Sequence, residues 1–434
     1  MRAEDLTQAV TESLAEAGNR LADLFTPSLR LGVTGLARSG KTVFITALIR
    51  NLTQGGRLPF FSAAAEGRLV AAHLEPQPDD NVPRFDYEAH LKALAGEPPE
   101  WPESTRRVSE VRVALSFASE HPIRRALGLR RLNLDIVDYP GEWLLDLAML
   151  GESYASWATD VLARARGGPK DKRTSEWLAF VSKLDAAAPE DEQTALDGAR
   201  LFTAHLEAAR QRSPVATLGP GRFLMPGDLA GSPLLTFFPL DMADDVSPPR
   251  GSLGAMMARR YESYLAHVVR PFFREHFMRL DRQIVLVDVL GALNGGVAAT
   301  QELERTLAAV LRAFRPGASS WLQSLIGARR IDRLLFAATK ADHIHHTSHD
   351  RLEAILALLT ERAAARAGGA GAATRVMALA ALRATREAQV RDGKGTLPCI
   401  VGVPLPGETV DGKTFDGHRE AAIFPGDLPG DAAA

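Results

Sequence analysis

The sequence predicts an α/β fold, a mostly parallel sheet flanked by helices, with an all-α domain inserted into it. Three observations predict this. Gly35 to Thr42 spell GLARSGKT between a short apolar run and an amphipathic one. Further apolar runs at 131–137 and 331–338 lead directly into the polar loops DYPGE and TKAD. Between the two α/β portions, residues 143 to 281 carry helical periodicity over a length no loop reaches.

Taken in order, residues 1–25 space Leu6, Val10, Leu14, Ala17, Leu21 and Leu24 as one amphipathic helix. Its polar face is acidic, which favours packing on the protein body over lying on a membrane. Leu29 to Val33 reads as a buried strand and Thr42 to Leu52 as a helix. Residues 55–103, punctuated by seven prolines, read as a long insertion or loop with a short helix around Tyr87 to Leu94. Strands are predicted at Val108–Phe117 and Arg131–Val137. Helices follow at Leu144–Arg166, Ser175–Leu184, Glu190–Arg212 and Leu253–Met278, the last kinked or divided at Pro271. Pro214 to Arg250 is a Gly/Pro-rich excursion. The α/β pattern resumes with strands at Gln283–Leu290, Ile331–Ala338 and Arg375–Ala380, and helices at Ala299–Phe314 and Ser348–Ala367. A hairpin-like LPCIVGVPL lies in the tail. The predicted division is therefore 1–142 with 283–434 as one domain and 143–282 as the helical insertion.

GLARSGKT is a full match to the phosphate-binding P-loop. Gly35 and Gly40 let the backbone curl until successive N–H groups converge on a phosphate, and the following helix turns its positive end to the same anion. Lys41 is expected to reach the β- and γ-phosphates, Ser39 to sit in the cradle, and Thr42 Oγ to hold Mg²⁺. The plain alternative is a glycine-rich turn that binds nothing.

Asp138-Tyr139-Pro140-Gly141-Glu142 ends a predicted strand with D-x-x-G. There a carboxylate can bind Mg²⁺ through water, and the Gly141 N–H can meet a γ-phosphate and release it on hydrolysis. Glu142 stands where many GTPases carry the glutamine that orients attacking water. A carboxylate accepts a proton but does not donate as an amide does, so turnover is expected to be slow. Thr105, in WPESTRR, is the best-placed threonine to close on Mg²⁺ and the γ-phosphate. Arg106 or Arg107 would supply a transition-state cation in cis, the alternative being a solvated basic turn. Trp101 and Ser104 are expected to line the nucleotide edge.

Thr339-Lys340-Ala341-Asp342 fits a guanine-reading loop. Guanine presents N1–H and N2–H₂ as adjacent donors, and the acceptor-only carboxylate of Asp342 takes both; adenine offers no such pair. The stem of Lys340 would cover the base while its ammonium reaches back to the P-loop. The histidines after it, with His345 and His349 four apart, lack a third fixed ligand at standard spacing, so a helix-start loop is favoured over a metal site.

Of the 434 residues 46% are apolar and 24% charged, and the formal charge of −2 argues against bulk binding of nucleic acid or anionic membrane. A single cysteine, Cys399, excludes an internal disulfide framework and fits a reducing compartment. Neither a secretory signal nor a spanning segment is recognised, so a cytoplasmic protein is expected, with peripheral membrane association through a partner left open.

With the P-loop, DYPGEW, RPFFREHFMRLDRQIVLVDVLGALNGG and TKADH all present, the chain resembles the YcjX family of P-loop GTPases over essentially its whole length. The resemblance implies a Ras-like P-loop NTPase core carrying a helical insertion, GTP/GDP binding with Mg²⁺, and an association with bacterial stress responses. It implies phosphate contacts from Ser39 to Thr42, Mg²⁺ contacts from Thr42, Thr105 and Asp138, and base contacts from Lys340, Asp342 and His343. One departure stands out: a hairpin-like tail replaces the long closing helix of small GTPases. The expected function is a GTP-binding switch with slow hydrolysis that signals to a protein partner through its insertion. The runner-up is a nucleotide-stabilised scaffold without turnover; an ATP-dependent kinase or ATPase is disfavoured by TKAD.

Overall fold

Buried runs of β-branched and aliphatic residues on either side of the P-loop assemble into one twisted sheet. The computed structural model describes residues 26–35, 39–56, 58, 61–103, 105, 107–119, 130–212, 219–242, 248–313, 331, 333–366, 373–393, 395–410 and 412–429. The expected helix at 1–25, Ser104 and Arg106 lie outside them. The strands are β1 (Ser28–Gly35), β2 (Leu69–Glu75), β3 (Ser109–Phe117), β4 (Arg130–Asp138), β5 (Arg282–Val287), β6 (Arg333–Ala338) and β7 (Ala373–Ala378). Their order across the sheet is β2-β3-β4-β1-β5-β6-β7. β4, β1, β5, β6 and β7 run parallel, whereas β3 is antiparallel to both β2 and β4. From β1 the chain runs to the far edge at β2, returns inward through β3 to β4 beside β1, and then crosses to β5 on the other side. The strand ends beside β1 therefore open a crevice of the kind where open α/β sheets bind ligands. This is the α/β Ras-like P-loop core that the sequence predicts.

Strand β2 escaped the sequence reading, which made 55–103 a loop with one helix. Its seven residues, LVAAHLE, form an edge strand with exposed Val70 and Ala71 and an irregular register near its start. No period-two alternation survives to betray it. The helix in the same region, α2 (Tyr87–Ala95), follows α1 (Lys41–Thr53), and Asp86 caps it by accepting the Ala89 N–H at 3.3 Å.

Between β4 and β5 the chain is helical: α3 (Trp143–Ala148), α4 (Tyr154–Gly167), α5 (Lys172–Val181), α6 (Glu192–Arg212), α7 (Leu253–Tyr264) and α8 (Arg270–Glu275). The single helix expected over Leu144–Arg166 is two, because Gly151 ends a 3₁₀ turn and Ser153 starts a new N-terminus by accepting from Ser156 N at 3.2 Å. The break expected at Pro271 appears one turn earlier, as a π-helical stretch over Leu265–Val269. Widening that turn accommodates the missing N–H and the ring of Pro271. One face of the sheet packs on α1 through Ile45, Ile49, Val111, Val113 and Ile136. On the other face Val285, Val287 and Phe336 share one continuous core with Trp143, Trp157, Phe202 and Tyr261 of the helical segment. The helical segment thus rests directly on the sheet that carries the loops.

After β5 come α9 (Val289–Asn294), α10 (Gly296–Ala313) and α11 (His349–Arg366). The strand expected through Leu290 stops at Val287, since Asp288 caps α9 by accepting the Gly291 N–H at 2.9 Å. The tail is a small antiparallel sheet of β8 (Arg386–Asp392), β9 (Gly395–Gly402) and β12 (Ala421–Ile423), with β10 (Thr409–Val410) and β11 (Lys413–Thr414) paired beside it. LPCIVGVPL, expected to turn back on itself, instead supplies most of β9; its hairpin partner is β8. Among the described residues no helix is long and apolar enough to cross a membrane.

Two buried ionisable groups in the helical segment give opposite pH dependence. Burial pushes the Asp146 carboxyl up to about 6, although Tyr264 and the Gly221 N–H donate to it at 2.8 and 2.6 Å. Its stabilising proton is in place below the unfolded carboxylate range and is lost as pH rises through about 6. Burial against Trp177 drives His205 down to about 4, so its contribution is present above the ordinary histidine range and lost as pH falls toward 4. The two slopes offset each other in the native protein. Asp146→Asn should expose the first, its stability relative to the native chain rising by about 3 kcal/mol between pH 4 and 7 in urea unfolding. A pH-independent difference would contradict the buried protonated carboxyl.

Candidate nucleotide site

Three chain segments meet at the C-terminal ends of β1 and β4. Gly40 adopts a left-handed conformation, φ 79°, which turns the backbone into α1 at no steric cost. A Cβ on Gly35 would fall 2.1 Å from Ser39 Oγ and 3.1 Å from the Leu286 carbonyl, so a side chain there would displace the Ser39 hydroxyl and crowd β5. Ser39 is buried, and its hydroxyl has no hydrogen-bond partner among the described residues. The ammonium of buried Lys41 donates to Asp138 Oδ1 and, at 2.5 Å, to Thr105 Oγ1. The Thr105 hydroxyl in turn donates to Asp138 Oδ2 at 2.8 Å, and Thr42 Oγ1 lies 3.5 Å from it. Asp138 is the last residue of β4, which is how a strand terminus presents a buried carboxylate to the loop beside it.

This donor set suits Mg²⁺ and phosphate. Two hydroxyls and a carboxylate are hard oxygen ligands, and a buried cation beside a glycine turn is the complement of a polyphosphate. The orphan hydroxyl of Ser39, inside the turn, is a further polar group that a ligand would satisfy.

Gly141 and Glu142 follow Asp138 as a turn into α3, the Gly141 carbonyl accepting from Leu144 N at 3.1 Å. Glu142 is buried, and its Oε1 accepts from Arg210 Nη2 at 2.6 Å. Arg210 sits in the last turn of α6, within the helical segment. More of that segment grips the same stretch. Gly221 packs so closely that a Cβ there would lie 2.1 Å from the Glu142 carbonyl oxygen. Arg222 stacks 3.3 Å from the Trp143 ring centroid, and the Trp143 indole donates to the Met225 carbonyl at 3.2 Å. Trp101, expected to line the nucleotide edge, is 68% exposed, and Arg107, one of the two arginines expected to supply a cation, is exposed as well. The charge that the structure brings to Glu142 comes from Arg210, which no local sequence signal links to DYPGE.

The TKAD loop leaves β6 beside β5. Lys340 is the one described non-glycine residue with positive φ, 61°, a conformation that costs about 1–3 kcal/mol and concentrates at functional sites. Its ammonium, expected to reach the P-loop, instead donates to Asp288 Oδ2 at 2.5 Å, because that carboxylate directly follows the neighbouring strand β5. Asp288 was absent from the sequence reading; the D-x-x-G spelling after QIVLV is the cap signal that reveals it. Asp342 is buried, and its Oδ2 accepts from Ala384 N at 2.9 Å. The Thr385 hydroxyl donates to the Asp342 carbonyl. The loop after β7 therefore reaches the base-reading loop even though no closing helix follows it among the described residues. His343 is exposed at the rim.

The geometry coincides with sequence kinship. A family described as "YcjX-like family, DUF463" matches residues 29–434. "Ras-like GTPase YcjX" of Escherichia coli (strain K12) is 37% identical over 411 residues, covering 92% of this chain and 86% of the relative. The protein of the same description from Shewanella oneidensis is 35% identical over 419 residues, covering 92% and 84%. With a match along nearly its whole length and the glycine turn, buried lysine and strand-end carboxylate in register, this chain belongs to the YcjX-like family.

Proposed function

We propose that the chain binds GTP and GDP with Mg²⁺, hydrolyses GTP slowly, and acts as a nucleotide-dependent switch in a bacterial stress response, with residues 143–282 as the signalling domain. The observation that carries this reading is the contact among Lys41, Thr42, Thr105 and Asp138 in the sheet crevice. Lys41 and Asp138 carry opposite charges that phosphate and metal would each engage, and Thr105 bridges them from a separate loop. Bound Mg²⁺ supplies charge neutralisation on the β- and γ-phosphate oxygens. Thr42, Thr105 and Asp138 would hold it, while Gly35, Ser39, Gly40 and Lys41 cradle the phosphates. Asp342, oriented by Ala384, accepts from the guanine edge, with Lys340 and His343 alongside. Closing and opening of Thr105 and Gly141 separates the two states.

Glu142 accepts a proton from the attacking water, and Arg210 fixes the carboxylate that does so. Arg210 is thus a positioning residue, and it ties the switch loop to the helical segment. Glu142→Ala should slow single-turnover GTP hydrolysis by about 100-fold with GTP affinity unchanged. Arg210→Ala should slow it through the same carboxylate, so the double variant should be no slower than Glu142→Ala alone. The same ion pair favours a second reading, a scaffold whose Glu142 is occupied by Arg210 and never meets water. A native protein that binds GTP and leaves it intact through a single-turnover assay would select the scaffold.

A further inference from the structure

The spacing in the sequence pairs His345 with His349, but the fold does otherwise. His349 Nε2 lies 2.8 Å from the Ala341 carbonyl, engaged in holding the base-reading loop. His345 and His346 instead converge on Glu387, near the start of β8 and 41 residues beyond His346. One donor atom from each of the three side chains lies within 4.8 Å of the others. His346 Nδ1 is 2.7 Å from Glu387 Oε2, and His345 Nε2 is 4.0 Å from the same oxygen. Three contacts hold these groups in place: the His346 N–H donates to Glu387 Oε1 at 3.0 Å, and His345 Nδ1 meets the Thr347 hydroxyl at 3.0 Å and the Thr347 N–H at 3.4 Å. Arg383 approaches Glu387 Oε1 at 3.9 Å, on the other carboxylate oxygen.

The contact with His346 occupies Oε2, and His345 Nε2 faces the same oxygen from 4.0 Å without hydrogen-bonding to it. That nitrogen belongs to a buried ring. Ligands about 2.0–2.1 Å from a tetrahedral cation stand roughly 3.3 Å apart, between the two distances observed. Two imidazoles and one carboxylate are the ligand chemistry of Zn²⁺ rather than of Mg²⁺, and the Thr347 hydroxyl can accept from His345 Nδ1–H, the tautomer that frees Nε2 for a metal.

We propose that His345, His346 and Glu387 bind one divalent ion of the Zn²⁺ class, which fastens β8 to the TKAD loop. The exposed side of His346 gives the ion its entry and leaves its fourth position to water. Ala384 and Thr385, which hold Asp342 through its carboxylate and carbonyl, lie just before Glu387, so the ion restrains the segment that orients the base-reading carboxylate. This last step rests on the guanine-site reading above; the metal site itself does not.

The test uses the full chain stripped of metal with EDTA and dialysed. Zn²⁺ is titrated calorimetrically with Mg²⁺ present, and Co²⁺ by its visible absorption. One equivalent should bind, and Glu387→Gln and His346→Ala should each weaken it at least about 10-fold. His418→Ala, an exposed histidine elsewhere, should leave it unchanged. His346 is mostly exposed, so His346→Ala keeps the fold, checked by the melting midpoint in EDTA. No Zn²⁺ binding, or binding indifferent to both site substitutions, overturns the proposal. GDP affinity measured in the same samples should rise about 5-fold or more with Zn²⁺. Zn²⁺ binding that leaves GDP affinity unchanged overturns the clamp, and a protein that binds Zn²⁺ but no GDP at all overturns the guanine reading instead.

Discussion

Lys41→Ala is expected to abolish GTP and GDP binding, with affinity lowered by at least about 100-fold in titration of a fluorescent nucleotide. Two effects act in the same direction. The ammonium that would meet the phosphates is gone, and Asp138 loses the cation that holds it beside Thr105. A buried carboxylate stripped of its partner costs about 3–5 kcal/mol, so the apo variant should also melt earlier. Lost stability alone would mimic lost binding, and the pair with Asp138 separates them. Lys41→Ala/Asp138→Ala removes both buried charges and should recover much of the melting midpoint while nucleotide binding stays absent. If the double variant binds GDP as the native chain does, Lys41 has no phosphate role and the crevice is not the site.

What the sequence made legible was whatever local chemistry dictates. A glycine turn between a strand and a helix, a carboxylate at a strand end, and a lysine–aspartate pair after β6 all announce themselves within a few residues. Buried parallel strands were readable for the same reason: β5 and β6 end in short apolar runs, IVLV and LLFAA, and β1 carries Leu29, Leu31 and Val33 before its glycine turn. The misses share a cause as well. β2 is an edge strand stabilised by its partner β3 rather than by its own pattern. The breaks inside the helical segment depend on a cap at Ser153 and a π turn before Pro271, each a single-residue decision that periodicity averages away. Arg210 on Glu142 and Ala384 on Asp342 are contacts across 68 and 42 residues, set by how layers pack. No pattern at either end of such a pair contains the other.

Those distant contacts decide how the base-reading carboxylate should respond to substitution. Asp342→Asn is isosteric, and the carboxamide oxygen can accept the Ala384 N–H that Asp342 Oδ2 now accepts. The loop anchor survives, and the amide nitrogen then turns toward the base. Guanine would face it with donor against donor at N2–H₂, an unpaired polar contact in a buried site. Xanthine carries an oxygen at that position and accepts from the amide. The ratio of GTP to XTP affinity should therefore fall by about 10⁴-fold, the scale on which sites built around hydrogen bonds reject the wrong partner. Competition between the two nucleotides on the native chain and on Asp342→Asn measures it, and an unchanged melting midpoint establishes that the Ala384 anchor held. Retained GTP preference in a folded Asp342→Asn would mean that Asp342 braces the loop after β7 without reading the base. Lys340 in its strained conformation on Asp288 would then be left holding only a turn.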